Sequence, residues 1–314
     1  MANLNERNLA LAIASCSDVC SAIKDANHPC HKVVSWQADQ FQPGITEVIG
    51  SQLHRPEPWT GDLEAAKIMF LSSNPSFNPA ENFPNWNEKE WDDEDVSIFG
   101  AERFTSNVER KFGAIDSVDA SLRDRTIERS GKLSDEVQHW KWVRQFAAFT
   151  LDKRLSETSA ITDYVMTELV HCKSENEVGV SKSLSHCTDK WFGKIMELSA
   201  ASLIFVAGAK AAEAFVEVYG NQVPDDWGCW SNSRYGKGKG LWPRSGREFK
   251  ELIKNQKWTV EAQKKNMCTV EIGGKPRLVI YIARRSQGGP IYAPWVHSDL
   301  IHDDILNIWR SHIV

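Results

Sequence analysis

A chain of 314 residues, 41% hydrophobic and 25% charged, has the composition of an ordinary globular protein, enough for one large domain with insertions or two small ones. Its formal net charge of −5 argues against a protein that coats nucleic acid without specificity, while leaving room for a local basic groove. No run approaches the roughly 18 apolar residues needed to cross a membrane, so no membrane partner is expected.

In chain order, residues 5–25 read as an amphipathic helix carrying Cys16 and Cys20 four apart, hence on one face. The stretch from Leu9 to Cys16 superficially resembles a lipoprotein cleavage site, but its apolar core is short and a helix is the expectation. Asn27-His28-Pro29 stops the helix, and residues 31–60 look irregular. Residues 1–55 are expected to form a helical extension packed on a core running from 56 to 314. Ile68-Met69-Phe70-Leu71 then has the length and type of a buried strand. It breaks into Ser72-Ser73-Asn74-Pro75-Ser76-Phe77-Asn78-Pro79, where Pro75 removes a backbone donor and Pro79 biases Asn78 towards extended geometry. Asn74 and Ser76 are thus delivered on a constrained loop at the carboxyl end of a strand, the edge where open α/β sheets bind ligands. The same letters are also common turn chemistry.

Residues 78–135 form a polar insertion whose acidic run, Glu88 to Asp95, reads as a solvated loop. From Val137 to Leu155 an amphipathic helix is expected, with Trp140, Val143, Phe146, Ala147 and Leu151 at helical spacing. A second strand covers 164–171, and Ser185 or Thr188 caps the helix that carries Trp191, Ile195 and Leu198. A third strand, 202–207, runs into Gly208-Ala209-Lys210 and a helix, a geometry that offers backbone N–H groups to an anion. Residues 221–266 are a second insertion. Its middle is basic, glycine-rich and interleaved with aromatics, so Arg234, Lys237 and Lys239 suit a loop tracking a phosphate backbone; a plain surface loop fits nearly as well. A fourth strand, 277–283, empties into Arg284-Arg285-Ser286-Gln287-Gly288-Gly289-Pro290, and a helix from about Asp299 to Ser311 closes the chain. Four strands separated by helical segments predict a parallel sheet with helices on both faces, and their end loops must converge on one cleft.

These residues resemble the uracil-DNA glycosylase superfamily over roughly 56–290. Ser72-Ser73-Asn74-Pro75-Ser76 stands where the mismatch-specific and single-strand-selective branches carry a Gly-x-Asn-Pro-Gly type motif. Thr167-Glu168-Leu169-Val170 stands for their Thr-Asn-Leu-Val, Gly208-Ala209-Lys210 for their glycine turn, and Arg284-Arg285-Ser286 for their His-Pro-Ser or Asn-Pro-Ser loop. The resemblance implies a three-layer α/β/α sandwich around a four-stranded parallel sheet, with DNA as partner. It makes Asn74 the residue that positions the attacking water, and Phe77, or an aromatic from Phe83 to Trp86, the ring that stacks on an extruded base. Glu168 takes the place of the group that reads the base edge. Ser76, Lys210 and Ser286, with Arg285 beside the last, fall where the family holds phosphates.

Two departures redirect the substrate. A carboxylate accepts only, so Glu168 would repel O4 of uracil while accepting from the N4 amino group of cytosine. Arg284 puts a permanent cation where the family has histidine, able to hold the departing base or a substituent on it. The resulting expectation is a DNA glycosylase that flips out a modified cytosine, for example a hydroxymethylated or glucosylated one in phage DNA, and hydrolyses its N-glycosidic bond. It resembles defence glycosylases in this respect. A non-catalytic reader of modified bases and a nucleoside or nucleotide hydrolase are the rival readings, and a structural salt bridge is the alternative for Glu168.

Seven cysteines, an odd number, do not make a disulfide framework and point to a reducing cytoplasm. Some branches of the same family hold a 4Fe–4S cluster with an N-terminal Cys-x-x-Cys pair and two later cysteines. Cys16, Cys20, Cys172 and Cys187 are the corresponding residues here, with a first pair of Cys-x-x-x-Cys form. Buried free thiols are the commoner fate of cysteine, so no cofactor is expected and a cluster or zinc is the alternative.

Overall fold

The apolar run at 68–71 becomes a central strand of the sheet, and everything else is arranged about it. The computed structural model describes residues 4–41, 53–86, 91–102, 123–225, 227, 259–282 and 301–313. Its strands are β1 (Trp59–Thr60), β2 (Ile68–Ser72), β3 (Tyr164–Glu168), β4 (Leu203–Ala207), β5 (Met267–Ile272) and β6 (Lys275–Ile282). They form one six-stranded sheet in the order β1-β3-β2-β4-β6-β5. The four strands expected from the sequence are its centre, and neighbours among them run parallel.

The sheet is mixed rather than purely parallel, because an antiparallel strand closes each side. β1 pairs with β3 just after Pro58, whose carbonyl accepts a hydrogen bond from the Thr167 hydroxyl at 3.0 Å. β5 and β6 are joined by Gly273-Gly274, both at positive φ, in the two-residue hairpin turn that requires that backbone at each central position. The alternating burial of β5 is that of a strand with one wet face.

β2 and β4 are buried at every residue, so both faces of the sheet centre are covered. Helix α5 (Gln138–Leu151) presents Phe146 to Phe205 at 4.7 Å between ring centroids, and Trp309 of the last helix, α10 (Asp303–Ser311), joins at 5.3 Å. Tyr281, which alternates to the other side, meets Trp227, and Trp227 meets Phe215 of α8 (Ala209–Tyr219). Each such ring contributes about 1.5–3 kcal/mol on burial.

The N-terminal segment differs from its expected form. Residues 5–25 are two helices, α1 (Leu4–Ala14) and α2 (Asp18–Lys24), broken at Ser15-Cys16-Ser17. Cys16 therefore lies in the break and shares no helix face with Cys20. Residues 31–41, expected to be irregular, form α3 (His31–Phe41), which buries Val33, Val34 and Gln37. Within the first insertion the acidic run leads into α4 (Asp93–Glu102), whose first turn carries Asp93, Glu94 and Asp95, favourable at a helix N-terminus. The helix after β3 begins earlier than Ser185: α6 (Val180–Cys187) runs through a π-helical turn, Thr188–Phe192, into α7 (Gly193–Leu198). Gly179 precedes it at φ +80, where a Cβ would come within 2.4 Å of the Val33 backbone nitrogen, so glycine is what lets α3 approach. A short helix α9 (Val260–Lys264) precedes β5. Residues of α1, α2 and α3 share one hydrophobic cluster with the strands.

His171 follows β3 fully buried, its Nδ1 donating to the Glu57 carbonyl at 2.7 Å, and burial lowers its pKa to about 4. The unfolded imidazole titrates near 6.5, so its contribution to stability is complete above that pH and is lost as pH falls to about 4. The loss amounts to about 3 kcal/mol. Urea midpoints of wild type and His171→Asn, measured between pH 7.5 and 4, should converge towards acid; parallel curves would contradict the assignment.

Candidate functional site

From β2 the chain crosses to β3 on one side, then to β4 on the other. The crevice at the carboxyl ends of β2 and β4 is thus a topological switch point, the usual ligand position in an open α/β sheet. The loops after β2 and β3 are zipped together beyond the strands. Leu169 N donates to Ser72 O at 3.0 Å, Val170 N to Ser73 O at 2.9 Å, and Ser174 N to Pro75 O at 3.2 Å. With Pro75 also denying a donor, the segment that carries Asn74 has little freedom.

Asn74 is 8% exposed, and its Nδ2 donates to Pro75 O at 3.0 Å, Ser174 O at 3.3 Å and Ser174 Oγ at 3.0 Å. Two of these acceptors are backbone carbonyls, which cannot donate, so the amide orientation is fixed. The arrangement spends the donor half of the amide on the protein and leaves Oδ1 as an acceptor. A water or hydroxyl donor is what such a group can hold.

Glu168 ends β3 directly opposite Ser72 in the parallel register, and Ser72 Oγ donates to Glu168 Oε1 at 3.4 Å. It is half-buried rather than sunk in the core. The amide and the carboxylate predicted to face a common ligand therefore sit at the ends of adjacent strands.

Lys210, in the first turn of α8, pairs with Glu177 at 2.9 Å, and Glu177 also accepts the hydroxyl hydrogen of Ser73. One carboxylate thus joins the loops after β2, β3 and β4. Ser76 is exposed on the same β2 loop. Phe77 is half-buried, its ring edge-on to Trp36 and Phe41 at 5.4 Å each and tilted on His54 at 5.1 Å. Phe83 is 1% exposed, stacked on His54 and lying 3.7 Å beneath the Lys173 ammonium. Phe83 is therefore a core ring and, of the two, only Phe77 remains a candidate to meet a base. Lys173 itself is buried between Glu57 at 2.8 Å and Glu81 at 3.2 Å, a charged brace under the same loops. Arg284, Arg285 and Ser286 lie outside the described residues, as do Arg234, Lys237 and Lys239.

All six described cysteines are free. Cys16, Cys30, Cys172 and Cys187 lie close enough for the charge of one to raise the pKa of another. Burial is the main cause in each case. It takes Cys30 and Cys187 up to about 12 and raises Cys172 well above the usual thiol range, so the uncomplexed thiols stay protonated and inert. The sequence groups Cys16, Cys172 and Cys187 with Cys20; in the structure Cys30 is a further buried thiol beside the first three, and the helix break takes Cys16 off Cys20's face. Among the described residues these thiols do not gather within the 4.8 Å that sharing one ion would need. A tetrahedral zinc would bring its sulfurs to about 3.8 Å from one another. Among the described residues, the group gathered within 4.8 Å is instead Asp18, His28 and His186.

The members of that second group already have protein partners. Lys190 already pairs with Asp18 Oδ2 at 2.8 Å, beside His186 Nε2 at 2.9 Å. His28 Nδ1 accepts from Cys30 N at 3.1 Å, so its proton is on the other nitrogen, which then cannot ligate. Burial pushes the Asp18 carboxyl up, but the bonds from Lys190 and His186 outweigh it and bring the pKa down to about 2. Lys190 also reaches Cys16 Sγ at 3.4 Å.

Compared with protein-family models and with curated proteins, the chain matches none. Three features escaped sequence reading: Glu177, the Ser174 anchor of Asn74, and Cys30. None carries a local signal, since each depends on contacts between distant segments.

Proposed function

We propose that the protein is a DNA glycosylase that extrudes a modified cytosine and hydrolyses its N-glycosidic bond, as the resemblance to uracil-DNA glycosylases suggests. The observation that carries this reading is Asn74, just past the end of a strand at the switch point, with its donor pinned by Ser174 and Pro75 so that its oxygen is kept as an acceptor. Four parallel central strands, covered on both faces, support a three-layer α/β/α core of the kind that resemblance implies.

In this scheme Asn74 Oδ1 holds a water against the anomeric carbon. The bond from that carbon to the base nitrogen breaks, the water oxygen bonds to the carbon, and its released proton ends on the departing base. The positive charge that develops on the sugar is met by the amide oxygen and by the carboxylates nearby. Glu168, an acceptor only, takes the N4 hydrogen of a cytosine-type base. Phe77 offers a ring for stacking.

Cys16, Cys30, Cys172 and Cys187 would hold a 4Fe–4S cluster, which supplies a buried cross-link between the N-terminal segment and the β3–α6 loop together with one-electron chemistry. Free thiols elsewhere suit a reducing cytoplasm.

Genomic DNAs differing in cytosine modification, incubated with the protein and tested for alkali-labile abasic sites, decide the matter; no release from any of them overturns the reading. Glu168→Gln supplies a donor as well as an acceptor, and should lower release of the cytosine-type base about 10- to 100-fold while improving release of uracil. Equal losses on both bases would remove Glu168 from base recognition.

A further inference from the structure

Glu177 is held in an unfavourable backbone. Asn176 and Glu177 have φ of 52° and 57°, two successive non-glycine residues in the left-handed region, which persist only where the surroundings over-determine them. Val178 N closes their turn by donating to Glu175 O at 3.1 Å, and this turn aims the Glu177 carboxylate between the Ser73 hydroxyl and the Lys210 ammonium. That ion pair is 29% and 35% exposed on its two side chains, and pairs so open to water add little stability. Stability alone therefore does not account for the carboxylate's place there. The donors it occupies, a hydroxyl and an ammonium on the loops after β2 and β4, are those a phosphate oxygen accepts from.

We propose that Glu177 is an internal placeholder for a substrate phosphate: its carboxylate fills the anion position between Ser73 and Lys210 and is displaced when nucleic acid binds. This rests on the reading that the crevice receives DNA. A phosphate brings more acceptor oxygens than the carboxylate it replaces. In the free protein the carboxylate also screens Lys210 from stray anions, so phosphate binding is taxed by the fraction of molecules in which the position is filled.

The test uses inorganic phosphate and a short single-stranded oligonucleotide as probes, with affinities taken by titration and no base release required. Glu177→Gln removes the charge while keeping the shape, and should bind both probes about tenfold more tightly than wild type; adding Lys210→Met should abolish the gain. On the wild-type protein, the side-chain carboxylate 13C resonance of Glu177 should move as phosphate saturates. Unchanged or weaker binding by a folded Glu177→Gln, or an unmoved resonance, overturns the proposal. Absence of base release by wild type would overturn the glycosylase reading without touching this result.

Discussion

Asn74→Ala is expected to slow base release about a thousandfold while leaving DNA affinity within a few-fold of wild type. The magnitude follows from what is removed. The amide nitrogen is engaged by Pro75 and Ser174, so the side chain does not grip the substrate through its donor. Its oxygen matters only where a water must be aligned with the sugar, which makes the loss one of the transition state rather than of binding. Ser174 Oγ and two backbone carbonyls lose a donor in the variant, so some local loosening follows. Ser174→Ala is the control for that: it removes one anchor and retains the oxygen, and should cost far less activity. Single-turnover release and equilibrium binding, measured on the same modified oligonucleotide, separate the two effects. Parallel loss of affinity and rate in Asn74→Ala would make the residue a binding group; full activity would remove it from the chemistry.

The second large effect concerns the thiols. Cys30→Ser is expected to bleach an absorption band at about 400 nm in anaerobically purified protein, while Cys20→Ser leaves it intact. Cys30 lies near Cys16, Cys172 and Cys187, close enough for the charge of one to act on another, whereas Cys20 sits on α2 beyond the break that holds Cys16. Protonated buried thiols have no such colour. A metal draws off their protons, and its binding free energy becomes folding free energy. Loss of the group should therefore lower the thermal midpoint as well, because a cross-link between the N-terminal segment and the region after β3 is lost with it. Colourless, iron-free protein prepared without oxygen would refute the cluster, and a band that survives in Cys30→Ser would refute the ligand set.

The four parallel strands were legible because each is a short apolar run punctuated by proline, glycine or polar residues. The predicted runs and the observed strands overlap throughout. The position of Asn74 at a strand end was legible for the same reason. The hairpin from β5 to β6 carried its own signal in Gly273-Gly274, flanked by alternating residues, and the expected purely parallel sheet passed over it. Helix α3 was missed because Gln37 and His31 dilute its apolar face; its burial comes from α2 and the Lys173 carbonyl, to which Gln37 donates at 3.2 Å. Phe83 looked like one more ring in an aromatic stretch, and only packing made it core.

By itself the sequence determined the four central strands, the order in which they follow one another, and that Asn74 lies just past the end of one, since apolar periodicity and backbone restriction act between neighbours in the chain. The second strand, expected over 164–171, stops at Glu168. Tertiary structure alone decided which way the Asn74 amide points, that Cys30 is buried near Cys16, Cys172 and Cys187, and that Glu177 bridges two loops. Those depend on partners up to 100 residues or more away, such as Ser174 for Asn74 and Glu177 for Ser73. No local preference encodes a contact of that range; it appears when burial of the shared core brings the segments together.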